Sequence, residues 1–179
     1  AEILPRFRAL PSAAIHQKSS LHDLVTEADL AAEAALSLSL RAAFPGVLVT
    51  GEEAIAAAPS LRPRLGTEAR AIVIDPIDGT SNFVRGVPVW ATLIALVHED
   101  IGPVLGVVSA PALDSRWWGV IDDAAFKNGS PIRVSQEGDI MNAHASLTPN
   151  SSWNTAGKSQ NLHRLQNMVK RVRGFGDFW

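Results

Sequence analysis

The chain has 179 residues, 46% of them hydrophobic, which is enough to bury a core and excludes a disordered polar segment. Its 16 basic and 18 acidic residues leave a formal net charge of −2 with no long run of either sign, so nothing marks a footprint for nucleic acid or an anionic membrane, and the expected partner is small. No cysteine is present, which excludes disulfides and thiolate zinc sites and makes a reducing cytoplasm the default setting, and no apolar run nears the ~20 residues that span a bilayer.

Ala1 is not an initiator methionine and the chain stops within the apolar pair Phe178-Trp179, as expected of a fragment. Thr26 precedes Glu27-Ala28-Asp29 in the pattern of a capping box, predicting a helix that runs to Phe44 and is closed by Pro45-Gly46. Ala28, Ala31, Ala35 and Leu38 recur along it at helical spacing. Val47 to Thr50 reads as a strand, and Ala71-Ile72-Val73-Ile74 as a short strand buried on both faces that delivers Asp75 to its end. Trp90 to His98 and Pro103 to Ser109 read as two strands paired in a hairpin, followed by a strand over Arg116 to Ile121 and a turn at Asn128-Gly129. Leu162, Leu165 and Val169 share one face of a predicted helix over Leu162 to Val169. Helices and partly antiparallel sheets in layers make the fold class α+β.

Asp75 and Asp78 stand three residues apart in Asp75-Pro76-Ile77-Asp78-Gly79-Thr80, read here as a turn that aims both acids at one point. Pro76 stiffens the turn, the Ile77 carbonyl can serve as a hard oxygen donor, and Gly79 permits close approach of an anion. A helix opening at Gly79-Thr80 would present its first amides and the Thr80 hydroxyl to phosphate oxygens. Oxygen donors without sulfur or imidazole favour magnesium over zinc. Taken alone, the segment is also what an ordinary Asp-Pro turn closed by Asp-Gly looks like. A calcium loop fits worse, because Ile77 and Gly86 occupy positions where it wants acids, and a covalent aspartyl phosphatase wants its acids two apart.

Gly51-Glu52-Glu53 lies just beyond the Val47 to Thr50 strand, where adjacent glutamates are otherwise most often a solvated face. Asp29 is explained by capping without any function, and Lys18 sits in a polar stretch before Asp23. Gly157-Lys158-Ser159 lacks the earlier glycine of a phosphate loop, whose place is taken by Ser152. No Gly-x-Ser-x-Gly elbow occurs, and His16, His22, His98, His144 and His163 show no metal-ligand spacing.

Taken in order, Asp23-Leu24-Val25-Thr26-Glu27-Ala28-Asp29, Gly51-Glu52-Glu53 and Asp75-Pro76-Ile77-Asp78-Gly79-Thr80-Ser81-Asn82-Phe83 resemble the inositol monophosphatase family. The resemblance implies the layered αβαβα sandwich shared with fructose-1,6-bisphosphatases, with an N-terminal metal-binding part over residues 1–135 and an incomplete C-terminal αβ part over 136–179. It implies that Glu52, Asp75, Asp78 and the Ile77 carbonyl hold magnesium, two or three ions per site. It implies that Asp29 with Thr80 orients the attacking water, that Glu53 belongs to the catalytic set, and that Gly79, Thr80 and Ser81 bind phosphate. Lys18-Ser19-Ser20 matches the family's N-terminal metal loop, so Lys18 is expected to help close the site, and Ser81 replaces the more usual second threonine. A homodimer and hydrolysis of a small phosphorylated metabolite complete the expectation.

The substrate is indicated by Asn82 to Leu96, by Val107 to Leu113 with Arg116-Trp117-Trp118, and by Arg171-Val172-Arg173-Gly174-Phe175-Gly176-Asp177-Phe178. These resemble the branch of the family that dephosphorylates histidinol phosphate, and the resemblance puts Asp177 beside the substrate amine. Ile3-Leu4-Pro5-Arg6-Phe7-Arg8 is more similar to general inositol monophosphatase-like proteins of bacteria. Inositol phosphate or another sugar or nucleotide phosphate is therefore the alternative substrate, and a non-catalytic metal or phosphate binding module is the alternative to an enzyme. The Trp-Asp motif that supplies a further metal ligand in the family is absent from this chain.

Overall fold

The computed structural model describes residues 2–17, 24–61, 70–147 and 151–174. They divide into two compact units, one ending at Ile132 and the other beginning at Arg133.

In the first unit, β1 (Ile15–Gln17) and β2 (Leu24–Thr26) pair antiparallel and lead into α1 (Glu27–Ala43). The predicted capping box is present: Thr26 caps α1 and Asp29 reaches back to the Thr26 amide at 2.8 Å. Phe44 closes the helix, and Gly46 follows at φ +86°. The buried side of α1, however, runs through Ala28, Asp29, Ala32 and Glu33, with Leu36 and Leu40 packed further along, whereas Leu38 is 74% exposed and Ala35 faces water. An alanine-rich helix offers more than one apolar spacing. The choice between them is made by the two acids that this helix buries.

The strand β3 (Leu48–Gly51), the short helix α2 (Glu52–Ala57), β4 (Arg70–Asp78), the short helix α3 (Thr80–Val84), β5 (Ala91–His98), β6 (Gly102–Ala110), β7 (Ser115–Val120), β8 (Ala125–Lys127) and β9 (Ser130–Ile132) complete the unit. Strands β3 to β9 form one seven-stranded sheet in chain order. Only β3 and β4 are parallel; the remaining neighbours are antiparallel, including the predicted hairpin of β5 and β6. Asn128 and Gly129, at φ +48° and +84°, supply the left-handed pair that a tight turn between β8 and β9 requires. The fold is α+β, as expected. Strand β4 does not end at Ile74; it runs on through Asp78.

Two apolar clusters hold the site in place. Val49, Ile72 and Ile74 lie on the α1 side of the sheet and meet Leu36, Leu40, Val47, Ile94 and Leu96. Ala28, Ile77, Phe83 and Trp90 form the second cluster, against which Ile3, Phe7 and Leu10 pack. Within it, Phe83 meets Trp90 edge to face at 5.0 Å between ring centroids, and Phe7 lies 5.5 and 5.4 Å from the two rings. The aromatic trio therefore anchors α3 through Phe83.

The second unit contains β10 (His144–Ser146), α4 (Ser151–Thr155), α5 (Ser159–Met168) and β11 (Arg171–Arg173), with β10 and β11 parallel. Helix α5 begins three residues before the predicted start, buries Leu162, and is closed at Val169, its C-cap, which is half-buried as Leu165 is.

Replacing Phe83, which is 1% exposed, with alanine should remove about 3–5 kcal/mol from the unfolding free energy, measured by urea titration followed by fluorescence. A loss under about 1 kcal/mol would show that the trio does not anchor α3.

Candidate active site

Two residues three apart in a regular strand point to opposite faces, because side chains alternate with a period of two. Asp75 and Asp78 escape this rule. Asp75 pairs with Leu93 and Asp78 with Ala91, so three steps along β4 match two along β5. The extra residue is a β-bulge, which returns Asp78 to the side that Asp75 faces. This corrects the expectation of a turn beyond the strand end. Pro76 is tolerated there because a bulged position need not donate to the ladder, and its carbonyl accepts a hydrogen bond from Thr92 Oγ1 at 2.9 Å. Ile77 between them is buried in the second apolar cluster.

Gly79 follows at φ +88°, the left-handed region that favours glycine, and caps α3. The amides of Asn82 and Phe83 both turn back to the Gly79 carbonyl. Thr80 and Ser81 thus open the helix directly after Asp78, and their amides lie ahead of its hydrogen-bond ladder. The Thr80 hydroxyl donates to the Ile77 carbonyl at 2.9 Å and stands 3.4 Å from Asp29 Oδ1. The other Asp29 oxygen accepts from the Thr26 amide at 2.8 Å and from Thr26 Oγ1 at 2.5 Å. Asp29 is therefore both a cap and a neighbour of Thr80, and the capping explanation does not exhaust it. A hydroxyl has one proton to give, so the shorter contact to Ile77 leaves the Asp29 side of Thr80 to its lone pairs.

Glu52 and Glu53 open α2 where β3 ends. A side-chain hydrogen bond joins Glu52 to Asp75, and the charges of Glu52, Asp78 and Asp29 all act on Asp75. Burial, foremost, and then these like charges push the Asp75 carboxyl from 3.8 up to about 8. Asp75 Oδ1 is buried and has no hydrogen-bond partner. Glu53 is 9% exposed, and its amide donates to Glu33 Oε2 at 2.8 Å. The structure therefore brings Asp29, Glu52, Asp75, Asp78 and Thr80 together, with Ser81 at the opening of α3. Lys18 and Asp177 lie outside the described residues.

An orphaned carboxylate oxygen and an acid forced toward its protonated form are what a group of oxygen donors shows when it lacks a countercharge. The donor chemistry fits a hard divalent cation. Among the described residues no three His, Cys, Asp or Glu side chains stand arranged to hold a metal ion. Sequence reasoning missed Glu33, whose carboxylate binds the first amides of α2; its only signal was a glutamate one helical turn after Asp29.

The family model described as inositol monophosphatase family matches residues 1–176. The histidinol-phosphatase of Streptomyces coelicolor is 42% identical over a 187-position alignment covering 100% of this chain and 66% of that protein. The histidinol-phosphatase of Mycobacterium tuberculosis is 40% identical, with 86% of this chain and 58% of that protein covered. The chain thus spans less than two thirds of the length of these curated relatives. Among solved structures, an IMPase of Thermotoga maritima shares the fold with a TM-score of 0.78 at 27% identity, over 98% of this chain and 63% of that one.

The raised Asp75 value sets a sign for pH dependence. The folded state binds this proton more tightly than the unfolded chain, so its stabilisation is full below about 4 and is lost as pH rises through about 8. In chelator-treated protein, the thermal unfolding midpoint should fall across that window, and Asp75→Asn should flatten the fall. An unchanged slope in the variant would assign the dependence elsewhere.

Proposed function

This chain belongs to the inositol monophosphatase family, and we propose that the protein it comes from hydrolyses a small phosphate monoester, with L-histidinol phosphate as the substrate and L-histidinol as the product. The observation that carries this reading is the bulge in β4, which sets Asp75 and Asp78 beside Glu52 and directly before the opening turn of α3. Acids alone would repel a phosphate. A cation held between these acids and the free amides at the opening of α3 would let both serve one phosphate.

Glu52, Asp75, Asp78 and the Ile77 carbonyl would hold magnesium, two or three ions in all, as the sequence resemblance implies. When bound, magnesium supplies Lewis-acid neutralisation of phosphoryl oxygens and makes a nucleophilic water available near neutral pH. The chain's own groups have separate tasks. The amides of Thr80 and Ser81, with Gly79 allowing close approach, would bind the phosphate. Asp29 Oδ1 and Thr80 Oγ1, 3.4 Å apart, would together accept the protons of a water and so fix its orientation. Glu53, at the buried opening of α2, completes the catalytic set in this reading. Because the acids act by binding and orienting, no phosphoenzyme is expected.

The choice of substrate is supported by the 42% and 40% identities to proteins named histidinol-phosphatase. The sequence resemblance adds Asp177, whose carboxylate would suit a cationic substrate, and Lys18, which would help close the site; both lie outside the described residues. The structural likeness to an IMPase favours inositol phosphate as the second reading. Among the described residues no helix is long and apolar enough to cross a membrane. A cytoplasmic homodimer is the setting that the family resemblance implies, and we propose it on that ground.

Phosphate release by the full-length protein should rank histidinol phosphate above inositol 1-phosphate and adenosine bisphosphate, and Asp177→Ala should depress only the first. A higher kcat/KM for inositol 1-phosphate would select the second reading. Asp78→Asn should lower kcat on the order of 100-fold or more with magnesium present, the scale of losing one electrostatic group at a transition state. Near-normal turnover of that variant would remove the centre proposed for Asp78.

A further inference from the structure

Glu33 is a glutamate in the middle of α1, and glutamates there ordinarily face water. This one is 7% exposed. A buried carboxylate is retained only if hydrogen bonds replace its lost hydration. Glu33 meets that condition with both oxygens: Oε2 accepts from the Glu53 amide at 2.8 Å and Oε1 from the Ala54 amide at 2.9 Å. These amides belong to the first turn of α2, where no carbonyl of the helix can reach them. Gly51, immediately before α2, offers no side-chain cap of its own.

A second observation shows that the contact is built in. Gly51 has φ −125° and ψ 170°, extended backbone that any residue adopts, so conformation does not require glycine there. Space does. A Cβ at Gly51 would overlap the Glu33 side chain. The glycine before Glu52 leaves room for the carboxylate that crosses it to reach the two amides beyond.

Asp29 and Glu33 are four residues apart on α1 and lie on one face, one turn above the other. Asp29 faces Thr80 at the opening of α3; Glu33 grips the opening of α2. We infer that Glu33 is a positioning residue that fixes the first turn of α2, and with it the Glu52 side chain, against Asp75. The inference rests on the proposed function only in taking Glu52 as a metal ligand. Glu33 acts through the backbone of α2, whose Glu53 and Ala54 amides its carboxylate holds.

Replacing Glu33 with glutamine keeps one acceptor and turns an NH2 group toward the other amide, so the clamp loses half its grip with little change in volume. Groups that orient a ligand typically cost 10- to 100-fold in metal affinity when removed. The test uses the full-length protein and Mn2+ as probe, with free Mn2+ read by electron paramagnetic resonance. Glu33→Gln should weaken Mn2+ binding by roughly tenfold or more. Gly51→Ala, which retains the glutamate but displaces it, should weaken binding comparably. The double variant should be no weaker than the weaker single one, because both changes break one contact, whereas unrelated structural damage would add.

Wild-type affinity in Glu33→Gln would overturn the inference while leaving the metal centre intact. If Glu33→Gln fails to fold, Gly51→Ala decides, and wild-type affinity in it would overturn the inference equally. If the wild-type protein binds no Mn2+, the reading of Glu52 as a ligand falls, and this inference falls with it.

Discussion

One constraint governs this molecule: several carboxylates must face one another where strands β3 and β4 end, and neither strand geometry nor electrostatics favours it. A regular strand would send Asp75 and Asp78 to opposite faces, and like charges would push Glu52 and Asp75 apart. The bulge in β4 resolves the first difficulty by inserting one residue against β5. The second is not resolved but contained, as the Asp75 carboxyl shows by being pushed up to about 8. What contains it is packing on both sides of the acids.

That packing comes from two clusters with different tasks. Val49, Ile72 and Ile74, covered by Leu36 and Leu40 of α1, hold β3 and β4 side by side and so fix where their ends lie. Ile77 within the bulge packs with Phe83 of α3 and with Trp90, and this cluster fixes where α3 begins. Ile77 joins the two arrangements, since its side chain is buried while its carbonyl accepts from Thr80. A bulge is held open when the residues flanking it are anchored. Here the anchor is aromatic, through the contact of Phe83 with Trp90 and of both with Phe7.

Helix α1 adds a third form of order, made of hydrogen bonds to charged groups. Its buried side carries acids where a core helix usually carries only apolar side chains. Each acid is satisfied by backbone amides, Thr26 for Asp29 and Glu53 with Ala54 for Glu33. Such charge-assisted bonds are directional in a way that apolar contact is not. They give α1 a single rotation relative to the sheet and align the openings of α2 and α3 to it.

Much of this was legible in the sequence. The capping box at Thr26 and Asp29, the apolar run before Asp75, the hairpin of β5 and β6 and the Asn128-Gly129 turn are local signals, each carried by a few adjacent residues. The candidate acids were legible for the same reason, since type and spacing appear in the chain itself. What the sequence could not decide is anything that depends on a partner across the sheet or on another helix. The bulge exists only as a mismatch between β4 and β5, so from one strand it reads as a turn. The face that α1 buries depends on Glu33 finding amides about twenty residues away, so alanine spacing predicted the helix but left its buried face open. Strands of three residues such as β10 and β11 are too short to show alternation and are set by pairing with each other. Residue chemistry was thus determined along the chain, and its convergence by contacts between distant segments, because alternation and helical periodicity are properties of one segment while register and facing are properties of two.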